Sequence, residues 1–224
     1  TEPHAHVAPE YLQSIEDVLK IGSSANAEWF RRTGPIAVDF ADGCVVPRPS
    51  ALRKLEELVR EHDISVLTGE GATGKSGLAR ALAHKLYADA QSRIFQLDVD
   101  HFRDFDPIAI AGIINRTDGL IIIENAHLRP ADIQVLLARL NASRASRLLL
   151  VARSSFRVAQ LSRRDSLQSL PSLCLKPFED VSTIVEYYAS RHAYLPWISA
   201  HTDAIKIASR DSLWLLSYAL EGYT

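Results

Sequence analysis

"LTGEGATGKSGLARALA", residues 67–83, decides how this chain is to be read. Gly69 to Ser76 fits G-x-x-x-x-G-K-[ST], with an apolar β-branched run before it and leucines at four-residue spacing after it. Strand, glycine turn and helix is the context in which that pattern carries a physical meaning. Glycine reaches backbone conformations closed to other residues and removes side chains that would block a phosphate. The amides of Gly69, Glu70, Gly71, Ala72, Thr73, Gly74 and Gly77 can then line an anion nest, with the positive end of the following helix behind them. Lys75 supplies a mobile cation for β- and γ-phosphates, and Ser76 a hydroxyl for Mg²⁺. The competing reading is a plain glycine-rich turn with a surface lysine; the strand-to-helix setting argues against it.

Outward from this turn, the chain alternates strand-like and helix-like segments. "SALRKLEELVREH" precedes it, with Ser50 as the expected N-cap and Leu52, Leu55, Leu58 and Val59 on one face. "ISVLTG", "RIFQLDV", "GLIIIE", "RLLLVA" and "SLCLK" read as five strands. Leu78, Leu82 and Leu86 mark a helix, as do Ile133, Leu136, Leu137 and Leu140 after Pro130. Continuous apolar strands separated by helices predict an α/β fold with a parallel sheet covered on both faces. Residues 10–32 read as one or two short helices. Residues 33–49, with three prolines and two glycines, read as a linker. Past Pro177 only helical patterns remain, on Val181, Ile184, Val185 and Tyr188 and on Leu213, Leu216 and Leu220.

Two further signals bear on chemistry. "GLIIIENAH" is an apolar strand ending in a carboxylate, the Walker B arrangement, with Glu124 placed to hold Mg²⁺ at the carboxyl end of the sheet. Asn125 occupies the position where many such ATPases carry a catalytic glutamate; an amide orients water but takes no proton. His127 is a candidate substitute base or polar sensor, although a histidine there more often caps a loop. Arg153, directly after "RLLLVA", would reach a γ-phosphate if its strand lies between the first and third. Ser154 and Ser155 are polar neighbours.

Composition bounds the alternatives. The chain has 224 residues, 47% hydrophobic and 23% charged, with a net charge of −2. That is an ordinary globular balance without the overall basic field of a nucleic-acid binder. Arg139, Arg144, Arg147, Arg153, Arg157, Arg163 and Arg164 could form a local basic patch; a solvated surface is the favoured reading, so nucleic acid is kept open but not favoured. Two cysteines, Cys44 and Cys174, make no disulfide framework. A reducing, cytoplasmic setting is therefore expected, and since no apolar run approaches the length of a membrane span, no membrane association is expected. Methionine is absent, and a piece of a longer protein is expected.

Taken together, "VVPRPSALRKLEEL", "TGEGATGKS", "LIIIENAH", "LLLVARSS" and "LCLKPFEDVSTIVEYY" resemble the STAND NTPases, signal-transduction ATPases related to AAA+ proteins, over roughly residues 46–220 and most nearly a bacterial branch. The resemblance implies a P-loop NTPase of the ASCE or AAA type, with sheet order 5-1-4-3-2 and a small helical lid. It implies an N-terminal helical segment and linker over 1–45, a nucleotide-binding domain over 46–178 and the lid over 179–224. It puts Arg48 at the nucleotide, Arg153 in the sensor position and Arg210 near the spot of an AAA+ second sensor. "RDSLWLLSYAL" departs from the family's Gly-x-Pro pattern, with Ser212 at the proline position.

The implied function is a slowly hydrolysing ATP/ADP switch of a signalling or defence protein. Mg²⁺ is its metal, self-association accompanies the ATP state, and effector and sensor domains lie outside this chain. Three alternatives stand beside it. An AAA+ remodelling or DNA-loading ATPase is supported by Arg210 and the arginine-rich stretch. A small-molecule kinase lacks a clear acceptor lid. A pure interaction module would bind nucleotide without turnover.

Overall fold

The computed structural model describes residues 12–15, 45–71, 73–90, 93–101, 104–154, 170–176 and 200–209. Within these residues lies a six-stranded sheet: β1 (Gln13–Ser14), β2 (Ile64–Thr68), β3 (Ile94–Asp98), β4 (Gly119–Glu124), β5 (Ser146–Val151) and β6 (Ser172–Cys174). Its order is β1-β3-β4-β5-β2-β6. β2 to β6 are mutually parallel, and β1 joins antiparallel at the β3 edge. The five strands expected from the sequence thus gain a sixth, in a segment whose pattern reads as helix. Gln13 pairs Gln96 and Ser14 pairs Phe95, while the flanking Leu12 and Ile15 are buried. Backbone pairing against an open edge strand outweighs weak local propensity in so short a stretch.

The helices are α1 (Pro49–Glu61), α2 (Lys75–Ala90), α3 (Pro107–Ile114), α4 (Pro130–Ala138) and α5 (Thr202–Ser209). Along each central strand, side chains alternate between two cores. On one face Ile121 and Ile123 of β4 and Leu148 and Leu150 of β5 pack with Ile110 and Ile114 of α3 and Ile133 and Leu136 of α4. On the other, Leu120, Ile122, Leu149 and Val151 pack with Leu55 and Val59 of α1 and Leu78 and Leu82 of α2. Both faces are covered, which is why these strands are apolar throughout.

α1 starts two residues earlier than expected. Arg48, not Ser50, is its N-cap residue, with Pro49 in the first turn, where its fixed φ and missing N–H cost nothing. The Arg48 side chain, which carries donors only, makes no capping bond at this N-terminus. α3 has no counterpart in the sequence reading. Asp106 caps it by accepting from the Ile108 and Ala109 amides. The expected lid helices, marked by Val181, Ile184, Val185 and Tyr188 and by Leu213, Leu216 and Leu220, lie outside the described residues. So do Cys44, Ala72, Ser155, Arg157, Arg163, Arg164 and Arg210, and most of the 10–49 stretch.

Candidate nucleotide site

β2 delivers the chain to the glycine turn at the carboxyl edge of the sheet, flanked by β5 and β6. The turn is tied to both neighbours. The Ser154 amide donates to the Gly69 carbonyl at 3.0 Å, and the Leu175 amide to the Thr68 carbonyl at 2.7 Å. A Cβ on Gly69 would lie 2.6 Å from the Leu175 carbonyl oxygen and 2.9 Å from the Thr73 hydroxyl, so only glycine fits this approach. Arg48 ties the turn to the segment after β6. Its guanidinium donates to the Thr73 carbonyl at 2.9 Å and to the Lys176 carbonyl at 2.9 Å. That places Arg48 against the backbone of the turn.

Lys75, the first residue of α2, folds its ammonium back onto the turn. It donates to the Glu70 carbonyl at 2.6 Å and the Gly69 carbonyl at 3.1 Å. Burial lowers its pKa, and the Arg153 charge lowers it further, against the opposing pull of Glu124, Glu70 and Cys174. The Thr73 hydroxyl also donates to the Glu70 carbonyl, at 3.0 Å. Glu70 reaches across to β5 as well, its carboxylate accepting from the Ser154 hydroxyl.

The other half of the site comes from β4. Glu124 ends that strand and is buried. Ser76 donates its hydroxyl to Glu124 Oε2 at 2.9 Å, while Glu124 Oε1 is buried with no hydrogen-bond partner among the described residues. Burial pushes the Glu124 pKa up to about 7. Asp98 adds to the rise, and Ser76, Arg80 and Lys75 oppose it. A buried carboxylate with a spare oxygen beside a serine hydroxyl is a donor set suited to a hard divalent cation, whose charge would hold it ionised. Ser76 and Glu124 therefore fit the Mg²⁺ role.

Asn125 takes the left-handed conformation, φ 57°, which asparagine tolerates better than most residues. Its side-chain amide donates to Asp98 Oδ1 at 2.9 Å, so its polar end is turned toward β3. The 3₁₀ turn Ala126–Leu128 follows, closed by the Leu128 amide on the Asn125 carbonyl at 2.9 Å. His127 Nδ1 is buried without a hydrogen-bond partner among the described residues. Burial lowers the His127 pKa, as do the charges of Arg153 and Lys75, with Asp100 opposing. Arg153 sits exposed just past β5.

The fold thus gathers Lys75, Ser76, Glu124, Asn125, His127 and Arg153 at one edge. Two participants escaped the sequence reading. Asp98 ends β3 directly opposite Glu124, and also pairs with His101 Nδ1 at 3.2 Å. Arg80 lies one helical turn past Ser76 and feels both Glu124 and Asp98. A carboxylate closing "RIFQLD" and an arginine four residues after the serine are the signals that could have found them.

No protein-family model matches the chain, and no curated protein matches it in sequence. Among solved structures, a Walker-type ATPase of Pyrococcus abyssi is similar at a TM-score of 0.51 and 14% identity, over 79% of this chain and 67% of that one. A katanin structure is similar at a TM-score of 0.47 and 14% identity, over 75% and 67%. At such identity the likeness to the archaeal ATPase is one of fold, and together with the strand-turn-helix around Gly69–Ser76 it gives this chain the mixed α/β, mostly parallel fold of a P-loop NTPase.

Proposed function

We propose that this chain binds ATP and ADP with Mg²⁺ and hydrolyses ATP slowly as a regulatory switch of the STAND type. Residues 46–178 form the nucleotide-binding domain and 179–224 a lid. The observation that carries the reading is the meeting of Ser76 and Glu124 at 2.9 Å beside Lys75. In this reading Lys75 leaves the Gly69 and Glu70 carbonyls for the β- and γ-phosphates. Ser76 and Glu124 hold Mg²⁺, which when bound neutralises phosphate charge. Arg153 meets the γ-phosphate. Asn125 cannot accept a proton, and its amide is already engaged by Asp98, so water activation is weak and turnover slow.

A switch requires ATP to favour one lid position over the other, whatever its absolute affinity. Self-association in the ATP state is the expected output. The test measures particle size by light scattering with ADP, ATP and a slowly hydrolysed analogue, alongside phosphate release. Association with the triphosphates but not with ADP, and turnover below about one per second, the low end of common enzymes, is the expected result. Rapid turnover with unchanged size would contradict the switch.

A further inference from the structure

Three basic groups stand beyond the carboxyl ends of neighbouring strands in the order β4-β5-β2: His127 in the turn after β4, Arg153 just past β5, and Lys75 at the start of α2 after the turn that follows β2. The charges of both Lys75 and Arg153 act on the His127 ring, and Arg153 acts on Lys75. Among the described residues, Asp100, from the 3₁₀ turn after β3, acts on that ring in the opposite sense. Arg129 and Asp132, at the start of α4, pair with each other at 3.7 Å. The cations Lys75 and Arg153 repel one another and disfavour a third charge on the His127 ring, and an anion entering between them relieves that repulsion.

The ring itself has two distinct nitrogens. Nδ1 is buried and has no hydrogen-bond partner among the described residues, while the residue as a whole is only half-buried. A buried N–H without an acceptor is a costlier orphan than a buried lone pair. On that ground the proton of the neutral ring is assigned to Nε2. In that tautomer Nε2 donates and does not accept. Asn125 has turned its amide to Asp98.

We propose that His127 Nε2–H donates a hydrogen bond to the γ-phosphate of a bound triphosphate, which makes His127 a determinant of ATP over ADP and not the base that activates water. The proposal rests on the nucleotide reading above. A neutral donor suits the position: it adds a contact that ADP cannot make, without placing a third full charge beside Lys75 and Arg153.

The experiment titrates wild type, His127→Ala and His127→Gln with ADP and with a non-hydrolysable ATP analogue, by calorimetry in the presence of Mg²⁺. A hydrogen bond to a charged phosphate is worth roughly ten-fold or more in affinity. His127→Ala should lose about that factor for the triphosphate and keep its ADP affinity, which also certifies that the variant is folded. His127→Gln, which retains a neutral N–H donor, should recover most of the loss. Unchanged triphosphate affinity in His127→Ala overturns the proposal, and so does an equal loss for both nucleotides, which is the mark of a merely structural turn residue. Failure of His127→Gln to recover any of the loss also counts against the donor role. If the wild type binds neither nucleotide, the nucleotide reading falls and takes this proposal with it; if it binds both and only the His127 contrast fails, that reading stands.

Discussion

Glu124 is a group whose behaviour the site predicts at the scale of a single residue. Its folded-state pKa is raised from the usual carboxylate range to about 7 by burial. Between those values the folded protein holds a proton that the unfolded chain has released. Stability contributed by Glu124 is therefore full below its ordinary pKa and is lost as pH rises through about 7. A cation at Ser76 and Glu124 requires the ionised form, so its binding expels the proton. Mg²⁺·nucleotide affinity should rise from about pH 6 to about pH 7.5, and calorimetric heats should vary with the ionisation enthalpy of the buffer. Glu124→Gln should reduce both effects to what the phosphate's own last ionisation contributes, and weaken Mg²⁺ dependence while nucleotide itself still binds. A second residue-scale prediction concerns Arg153. A γ-phosphate contact adds affinity for ATP alone, about ten-fold to a hundred-fold for a charge-assisted bond. Arg153→Ala should lower ATP affinity and leave ADP nearly untouched in parallel titrations; equal losses would refute the sensor role, and a fall in DNA affinity alone would move Arg153 to a nucleic-acid patch.

At the scale of elements, the site depends on β4 being held in register with β3. Gly119 opens β4 with φ +106°, a conformation that L side chains rarely adopt, and an added Cβ would run into the Arg93 carbonyl oxygen. That carbonyl accepts the Leu120 amide at 2.9 Å, the first bond of the β3–β4 ladder. The pairing runs from Ile94 and Leu120 to Asp98 and Glu124. Gly119→Ala combines backbone strain with a clash against backbone, and should cost about 1–3 kcal/mol. Chemical denaturation would show it as a lower midpoint, and an unchanged midpoint would mean that this end of the ladder relaxes freely. The opposite face has its own fastening. Glu56 of α1, 11% exposed in its side chain, meets Lys85 of α2 and Arg60 one turn on, each at 2.6 Å. The hydrogen bond from Lys85 holds the Glu56 pKa below its usual value. α1 and α2 are thus locked side by side, and α2 is the helix that carries Lys75 and Ser76.

For the whole molecule, ligand binding should register as stability. A ligand that binds only the folded state adds about 2.7 kcal/mol at roughly a hundred times its dissociation constant. Mg²⁺·ATP should therefore raise the midpoint of thermal unfolding in a concentration-dependent way. Lys75→Ala should fold with the same unliganded midpoint, because its ammonium bonds only within its own loop among the described residues, and should lose the ligand-induced rise. A wild-type rise that persists undiminished in Lys75→Ala would place the nucleotide elsewhere.

How much of this was legible in the chain depends on the range of the interactions involved. The glycine turn, the strands at residues 64–68, 94–98, 119–124 and 146–151, and the helix after the turn all follow from local patterning: turn chemistry and uninterrupted apolar runs are properties of neighbouring residues. α3 was hidden because "PIAIAGII" is apolar all round and shows no periodicity; only the Asp106 cap and Pro107 mark it. The strand at Gln13–Ser14 exists through pairing with Gln96 and Phe95, which no local preference encodes. The same holds within the site. Lys75, Ser76, Glu124 and Arg153 could be named from motif and strand-end position, since a strand end in a parallel sheet lies at the ligand-binding edge. That Asn125 turns to Asp98, that Arg48 grips the turn through Thr73 and Lys176, that Glu70 reaches Ser154 and that His127 buries one nitrogen were decided only by tertiary structure. These contacts join residues up to 128 positions apart, and their geometry comes from strand register and the packing of two cores, not from the residues' own neighbours.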